Sequence, residues 1–120
     1  FLNVLQYPYP LSTITIESGI LALQKVNLMD NATKIIKIER QRIIETLQKF
    51  DTFEVFDSKA NFVLFDAHSS YKRVYSALAE QGISIRKLGK IGNHEGCLRV
   101  TIGTKEMNSK FLLAIRDLLQ

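Results

Sequence analysis

The chain has 120 residues, 46% of them hydrophobic and 23% charged, which suits a single globular domain and excludes a disordered protein. No apolar run approaches the roughly 18 residues that a membrane span needs. One cysteine, Cys97, excludes an internal disulfide, and with two histidines the chain is poor in zinc ligands. The net charge of +4 is dispersed and favours an anionic partner only weakly. No signal-peptide pattern opens the chain, so we expect a cytoplasmic protein.

The first half of the chain predicts a lead-in over residues 1–12 and then two helices. Pro8 and Pro10 exclude a helix in the lead-in. Ser12 or Thr13 is a suitable N-cap for a helix to about residue 28, and Asp30 or Asn31 for a longer one to about residue 50. Apolar residues at helical spacing are expected to face the core. They are Ile16, Ile20, Leu23 and Leu28 in the first helix, and Ile36, Ile43, Leu47 and Phe50 in the second.

The second half predicts four strands and two helices. The strands are expected at residues 53–56, 61–65, 83–86 and 97–102, and the helices from Ser69 or Ser70 to Gly82 and from Thr104 onward. Residues 87–96 contain three glycines and are expected to form a mobile loop. The order ααββαββα predicts an α+β two-layer sandwich, in which helices pack on one face of a mainly antiparallel or mixed sheet. The other face would present Arg99 and Thr101.

The sequence contains none of several common catalytic motifs. The chain lacks the phosphate-binding, dinucleotide-binding and zinc-protease motifs and the serine-hydrolase elbow. His94 lies three residues before Cys97, but an incidental loop histidine and strand cysteine are favoured over a thiol–imidazole pair. Asp66 ends an apolar strand and is interpreted as a loop-facing acid, and His68 as a solvated loop residue.

Arg86 and Arg99 are the stronger binding candidates. Each lies on a predicted strand opposite apolar neighbours, and together they bracket the glycine-rich segment. A guanidinium is a planar fork of donors that matches two oxygens of a carboxylate or phosphate. Two forks on one face would hold an anion with two charged ends. From periodicity alone, a solvated sheet face without a ligand is still favoured.

Four segments occur in the order that a known family has them: residues 7–12 (YPYPLS), 58–63 (SKANFV), 82–86 (GISIR) and 97–103 (CLRVTIG). Together they resemble the C-terminal part of histidinol-phosphate aminotransferases, which are fold-type I enzymes of histidine biosynthesis. The similarity covers essentially the whole chain, and Arg86 and Arg99 are thirteen positions apart, as in that family.

The resemblance implies that residues 13–120 are the small C-terminal domain of a longer enzyme, with residues 1–12 leading in from a large domain. It implies that Arg99 binds the α-carboxylate of glutamate or 2-oxoglutarate, and Arg86 the phosphate of histidinol phosphate or imidazole acetol phosphate. The cofactor, pyridoxal 5'-phosphate, would be bound by the large domain, so no catalytic or cofactor-binding residue is expected here. The complete enzyme would be a homodimer, and this chain alone would be inactive.

The sequence departs from the pattern of this family in the segment after Arg86, and two other functions are alternatives. Lys87 follows Arg86 where relatives often have Pro or Asp, and Lys90 and His94 add basic groups to the same segment; a solvated role for them is slightly favoured. The alternatives are a free-standing module that binds anions or single-stranded nucleic acid, and a scaffold that only dimerises. The apparent lack of exposed aromatic residues on the Arg99 face counts against nucleic-acid binding.

Overall fold

The computed structural model describes residues 11–120. It divides the chain into two compact units, the first ending at Lys34 and the second comprising Ile35–Gln120. Most of the predicted lead-in, including Tyr7 and Tyr9, lies outside the described residues. The boundary at residues 12 and 13 therefore stays a prediction.

The secondary structure follows the predicted order, with two corrections. Asp30 and Asn31, the predicted caps of the second helix, lie inside that helix, and of the predicted strand 83–86 only Arg86 belongs to a strand. The helices are α1 (Thr13–Gln24), α2 (Val26–Leu47), α3 (Tyr71–Glu80) and α4 (Lys105–Leu119), and the strands are β1 (Glu54–Val55), β2 (Phe62–Asp66), β3 (Arg86–Ile91) and β4 (His94–Thr101). A short 3-10 turn at His68–Ser70 precedes α3. None of the helices in residues 11–120 is long and apolar enough to span a membrane.

The first unit has helices at its described residues but no buried side chain among them. Helix α1 begins after Ser12, whose Oγ accepts a hydrogen bond from the N–H of Thr15 at 3.2 Å, which confirms one of the two proposed caps. It ends at Gln24, four residues earlier than expected. The expected core stripe is wrong: Ile16, Ile20, Leu23 and Leu28 are 49–70% exposed. Because α1 also carries apolar residues on its other sides, spacing alone did not identify a buried face.

The second unit is built on an antiparallel sheet with the strand order β1-β2-β4-β3. One face of the sheet is buried: Val63 and Phe65 of β2 are paired with Val100 and Leu98 of β4. These side chains share a core with residues of α2, α3 and α4, as expected when one sheet face is covered by helices. The predicted α+β sandwich is confirmed.

A buried polar cluster joins α2 to α4. The carboxylate of Glu39 is 5% exposed and accepts hydrogen bonds from Arg42 Nη2 and Asn108 Nδ2, both at 2.8 Å. Arg42 also donates to Ser109 Oγ. Each donor offsets part of the desolvation of the carboxylate, so these groups have a structural role.

Residues 87–96 form a β-hairpin, and the expected mobile loop is wrong. Strand β3 extends from Arg86 to Ile91 and β4 begins at His94, which leaves a two-residue turn at Gly92 and Asn93. Gly92 has φ +58° and Gly89 has φ +72°. The register shifts on both sides of Gly89. Glycine adopts these φ values without steric penalty, so the glycines here allow a bulge and a tight turn rather than a long loop.

Candidate functional site

Arg86 and Arg99 lie directly opposite each other on neighbouring antiparallel strands. Their Cα atoms are register partners between β3 and β4, a position in which Cβ atoms are about 4.5–5.5 Å apart. Directly opposed residues point to the same face of a sheet. The structure therefore brings the two predicted arginines together on the face opposite helices α2, α3 and α4.

Local packing determines where each arginine points. Arg99 lies between Leu98 and Val100, which are buried in the core, so strand alternation places Arg99 on the opposite face. Arg86 follows Ile85, which is 8% exposed and anchors the start of β3. A one-residue shift of either strand would move its arginine to the other face.

Both guanidinium groups are available to a ligand. Within residues 11–120, neither makes an ion pair or a side-chain hydrogen bond. The guanidinium carbon of Arg99 lies 5.0 Å from the ring centroid of Phe62, a cation–π contact that limits its movement. An open depression of about 350 Å³ lies beside the pair, lined by Ser84, Ile85, Arg86, Arg99 and Thr101. Its surroundings suit a small anion.

The other basic residues of the hairpin do not join the arginines. Lys87 is the register partner of Leu98 and so belongs to the other face of the sheet, where its Nζ lies 5.3 Å from the Tyr75 ring. Lys90 Nζ is 3.2 Å from the exposed carboxylate of Glu95.

Phe62 corrects one expectation about this face. It is half-buried and is the register partner of Thr101, so an aromatic ring does lie beside Arg99. Residues 62–65 are all apolar, so the sequence does not show which of them share a face with Arg99.

Asp66 and the two histidines lie near the other end of the same face. Asp66 is fully buried rather than loop-facing. Its Oδ1 accepts hydrogen bonds from the backbone N–H groups of His68 at 2.8 Å and Gly96 at 3.0 Å. His68 is exposed, as expected, but its Nδ1 lies 3.2 Å from Asp66 Oδ2. His94 is a half-buried strand residue whose Nδ1 faces Glu54 and Asp66.

Cys97 is not arranged as a nucleophile. It is 1% exposed, and its Sγ lies 3.9 Å from the backbone carbonyl oxygen of His94. Burial, and then the nearby carboxylate of Asp66, raise the pKa of the Cys97 thiol. A buried thiol with a raised pKa is unreactive, in agreement with the interpretation that the spacing to His94 is incidental.

Gly96 allows the backbone at the start of β4 to lie directly against the turn that follows β2. A Cβ at this position would collide with the backbone O and N of His68 and with Cβ of Tyr71. The carbonyl of Gly96 also accepts a hydrogen bond from the N–H of Ala67 at 3.0 Å. This residue therefore brings the start of β4 against the turn that follows β2.

Comparison with known proteins adds to this geometry. No protein-family model matches the chain. The histidinol-phosphate aminotransferase of Vesicomyosocius okutanii is 36% identical over 111 residues, which cover 92% of this chain. The chain is homologous to part of the histidinol-phosphate aminotransferases. It spans 31% of the length of that relative.

Solved structures agree with this homology. The histidinol-phosphate aminotransferase of Clostridium acetobutylicum matches 94% of this chain and 35% of its own, with a TM-score of 0.80 and 31% identity. A decarboxylase from Sulfurospirillum multivorans matches 93% of this chain and 33% of its own, with a TM-score of 0.77 and 29% identity. The resemblance read from the four sequence segments is confirmed.

Proposed function

We propose that this chain is the substrate-binding domain of a pyridoxal-phosphate-dependent histidinol-phosphate aminotransferase, with Arg86 and Arg99 as its anion-binding residues. The observation that carries the proposal is the cross-strand placement of the two arginines on an open sheet face. The homology to aminotransferases of that name supports the choice of reaction, and the length of those relatives supports a further domain.

An anionic ligand fits the charge of the pair. Like charges directly opposite each other in a sheet are destabilising, and no acidic partner within residues 11–120 offsets them. A phosphate or carboxylate between the two forks would relieve the repulsion and accept charge-assisted hydrogen bonds. Substrate binding and relief of repulsion would therefore occur together.

The two arginines differ in restraint, which suits different roles. Arg99 is half-buried and lies against Phe62, so it presents its fork in a restricted orientation, as recognition of an α-carboxylate of glutamate or 2-oxoglutarate requires. Arg86 is exposed and adjusts more freely, which suits the terminal phosphate of histidinol phosphate or imidazole acetol phosphate. The substrates would be held by their anionic ends, with the carbon that carries the amino or keto group directed toward the cofactor.

The cofactor is not assigned to residues of this chain. Pyridoxal phosphate would supply the electron sink for amino transfer, and it requires a lysine at its reactive carbon. The two lysines of the β3–β4 hairpin do not fit: Lys87 lies on the other sheet face and Lys90 faces Glu95. We therefore expect the 120-residue chain alone to lack transaminase activity when supplied with the cofactor and both substrates.

The test is a pair of substitutions in the complete enzyme. Arg99→Lys keeps the charge but loses the two-donor fork, so kcat/KM for 2-oxoglutarate should fall by roughly 10- to 100-fold, with cofactor absorbance retained. Arg86→Lys should lower kcat/KM for histidinol phosphate more than for the dicarboxylate. Arg116→Lys, an exposed arginine of α4, is the matched control. Unchanged kinetics in both site variants would refute the proposal.

A nucleic-acid-binding module is the second candidate, because Phe62 and Arg99 lie together on the open face. A stacking platform presents its ring to a base, but the Phe62 ring already carries the Arg99 guanidinium. We expect no retardation of a single-stranded oligonucleotide by the chain at physiological salt. Binding that weakens steeply with salt and is lost in Phe62→Ala would favour this candidate instead.

A further inference from the structure

A second cluster of polar side chains lies on the same sheet face, away from the arginine pair. Glu54 is the register partner of Asp66, which is in turn the partner of Cys97. His94 begins β4 and turns its imidazole toward both acids. Its Nδ1 lies 3.3 Å from Glu54 Oε2 and 3.3 Å from Asp66 Oδ2. One ligand atom from each of these three residues lies within 4.8 Å of the other two.

Asp66 Oδ2 is a buried carboxylate oxygen without a hydrogen-bond donor among the described residues. Hydrogen bonds from two backbone N–H groups to Oδ1 hold the carboxylate in place. Oδ2 is buried and accepts no hydrogen bond from the described residues. Its neighbours His94 Nδ1 and His68 Nδ1 lie at 3.3 and 3.2 Å but are not aligned to donate. A buried carboxylate oxygen that accepts no hydrogen bond is costly, and a cation at this point would satisfy it.

The spacing of the donor atoms suits a small divalent ion. Zinc binds His nitrogen and carboxylate oxygen at about 2.0–2.2 Å in a tetrahedron, which places neighbouring ligand atoms about 3.3–3.6 Å apart. The two distances from His94 Nδ1 are 3.3 Å. Calcium and magnesium favour six or more oxygen ligands, including water. One imidazole nitrogen and two carboxylate oxygens therefore indicate a transition-metal ion rather than either of these.

We propose that Glu54, Asp66 and His94 form a binding site for a divalent transition-metal ion of the zinc type. The ion is held by three protein ligands, with its remaining position open toward solvent on the side of Glu54, whose side chain is 51% exposed. Asp66 is the buried, preoriented ligand. Glu54 and His94 come from the two strands that flank β2 and complete the site. This proposal stands apart from the aminotransferase proposal, because none of the three residues belongs to the arginine pair.

His68 provides an internal comparison. Its Nδ1 also approaches Asp66 Oδ2, but its side chain is 53% exposed and it does not belong to the three-residue cluster. Its φ is +48°, so alanine would be strained there and asparagine, which tolerates this conformation, is the better replacement. We expect His68→Asn to keep one Zn²⁺ bound per chain, since His68 is not one of the ligands, and to lower the affinity by about tenfold, because its imidazole borders the ligand Asp66.

The experiment is calorimetric titration of the metal-free, tag-free 120-residue chain with Zn²⁺. We expect one ion per chain, and an affinity at least tenfold weaker in His94→Ala and in Glu54→Gln, because each variant removes one of three ligands. Glu95→Gln, next to His94 but highly exposed, is the matched control and should bind as the wild-type chain does. Cys97→Ala should also bind normally, which excludes capture by the thiol.

Two further measurements distinguish a loss of metal binding from a loss of folding. Asp66→Asn keeps an oxygen for the two backbone N–H groups, and its far-UV circular dichroism should show a folded chain that binds Zn²⁺ weakly. Co²⁺ added in place of Zn²⁺ should give the visible absorption of a four-coordinate site, and His94→Ala should abolish it. Absence of saturable Zn²⁺ binding below about 100 μM, or equal binding by the wild-type, His94→Ala and Glu54→Gln chains, would overturn the proposal.

Discussion

Helix α1 of the first unit and the sheet of the second unit (the sheet unit, Ile35–Gln120) are similarly rich in apolar residues. They differ in whether those residues are buried. Every described residue of the first unit is exposed, including Leu23 at 70%, whereas Phe65 and Leu98 of the sheet unit are 0% exposed. In β2 and β4, the apolar residues on one face of the sheet, Val63, Phe65, Leu98 and Val100, are buried. In α1, apolar residues occur on several sides of the helix. Apolar content alone therefore does not determine whether a segment of this chain forms a core within its own unit.

The largest expected effect comes from paired truncations in the two regions. Phe65→Ala removes a fully buried ring and should lower the free energy of unfolding by about 3–5 kcal/mol. Leu23→Ala shortens an exposed side chain and should change it by no more than about 0.5 kcal/mol. Urea denaturation followed by circular dichroism measures both. A large loss for Leu23→Ala would show that α1 is packed in solution, and the contrast between the regions would fail.

A smaller effect is expected at the polar boundary of the sheet unit. Asp66→Ala leaves the N–H groups of His68 and Gly96 without their acceptor, and should reduce the free energy of unfolding by about 1–3 kcal/mol in metal-free buffer. Asp66→Asn retains an amide oxygen for both groups and should lose less. Equal loss in the two variants would show that the Oδ1 hydrogen bonds contribute little.

Cys97 predicts a pH dependence confined to the sheet unit. Burial raises the pKa of its thiol, so the unfolded chain loses this proton at lower pH than the folded chain does. The resulting stabilisation is complete below the unfolded pKa and is lost as pH rises through the folded pKa. As pH rises above the ordinary pKa of a cysteine thiol, about 8.5, the free energy of unfolding should therefore fall. Cys97→Ala should remove this component, and an unchanged slope in that variant would contradict it.

The smallest effect is expected in α1. Gly19 lies within the helix, and a Cβ added there would meet nothing within 4 Å. Gly19→Ala should therefore favour the helix by up to about 1 kcal/mol, visible as increased helical ellipticity. The urea midpoint of the core should remain unchanged. A decrease in ellipticity would show that residue 19 is in contact with other atoms in solution.

Much of the second unit was predictable because its residues follow regular patterns. Alternation placed Leu98 and Val100 in the core and Arg99 on the opposite face. The predicted cap of α4 was correct: Thr104 Oγ1 accepts a hydrogen bond from Met107 N–H. The position of Arg86 opposite Arg99, however, depends on the register of β3 and β4, which becomes definite only with the hairpin turn at Gly92.

The remaining features depend on contacts between residues far apart in the chain. Burial of Asp66 requires backbone N–H groups from both sides of the site, and burial of Glu39 requires Asn108 of α4. A carboxylate read alone is most simply assigned to the surface. The hairpin was mistaken for a loop because its glycines predict flexibility and positive φ equally well. Neither the acidic partners of His94 nor the Phe62–Arg99 contact has a local sequence signal.

The close approach of Gly96 to the His68 backbone leaves no room for a side chain at position 96. Any larger residue there would push the β4 start away from the His68 turn, displacing Asp66 and His94 although neither had been altered. Substitutions at position 96 should therefore disrupt the proposed metal site by moving its ligands, without changing any of them. A mutational scan restricted to charged and polar side chains would not detect this contribution of Gly96.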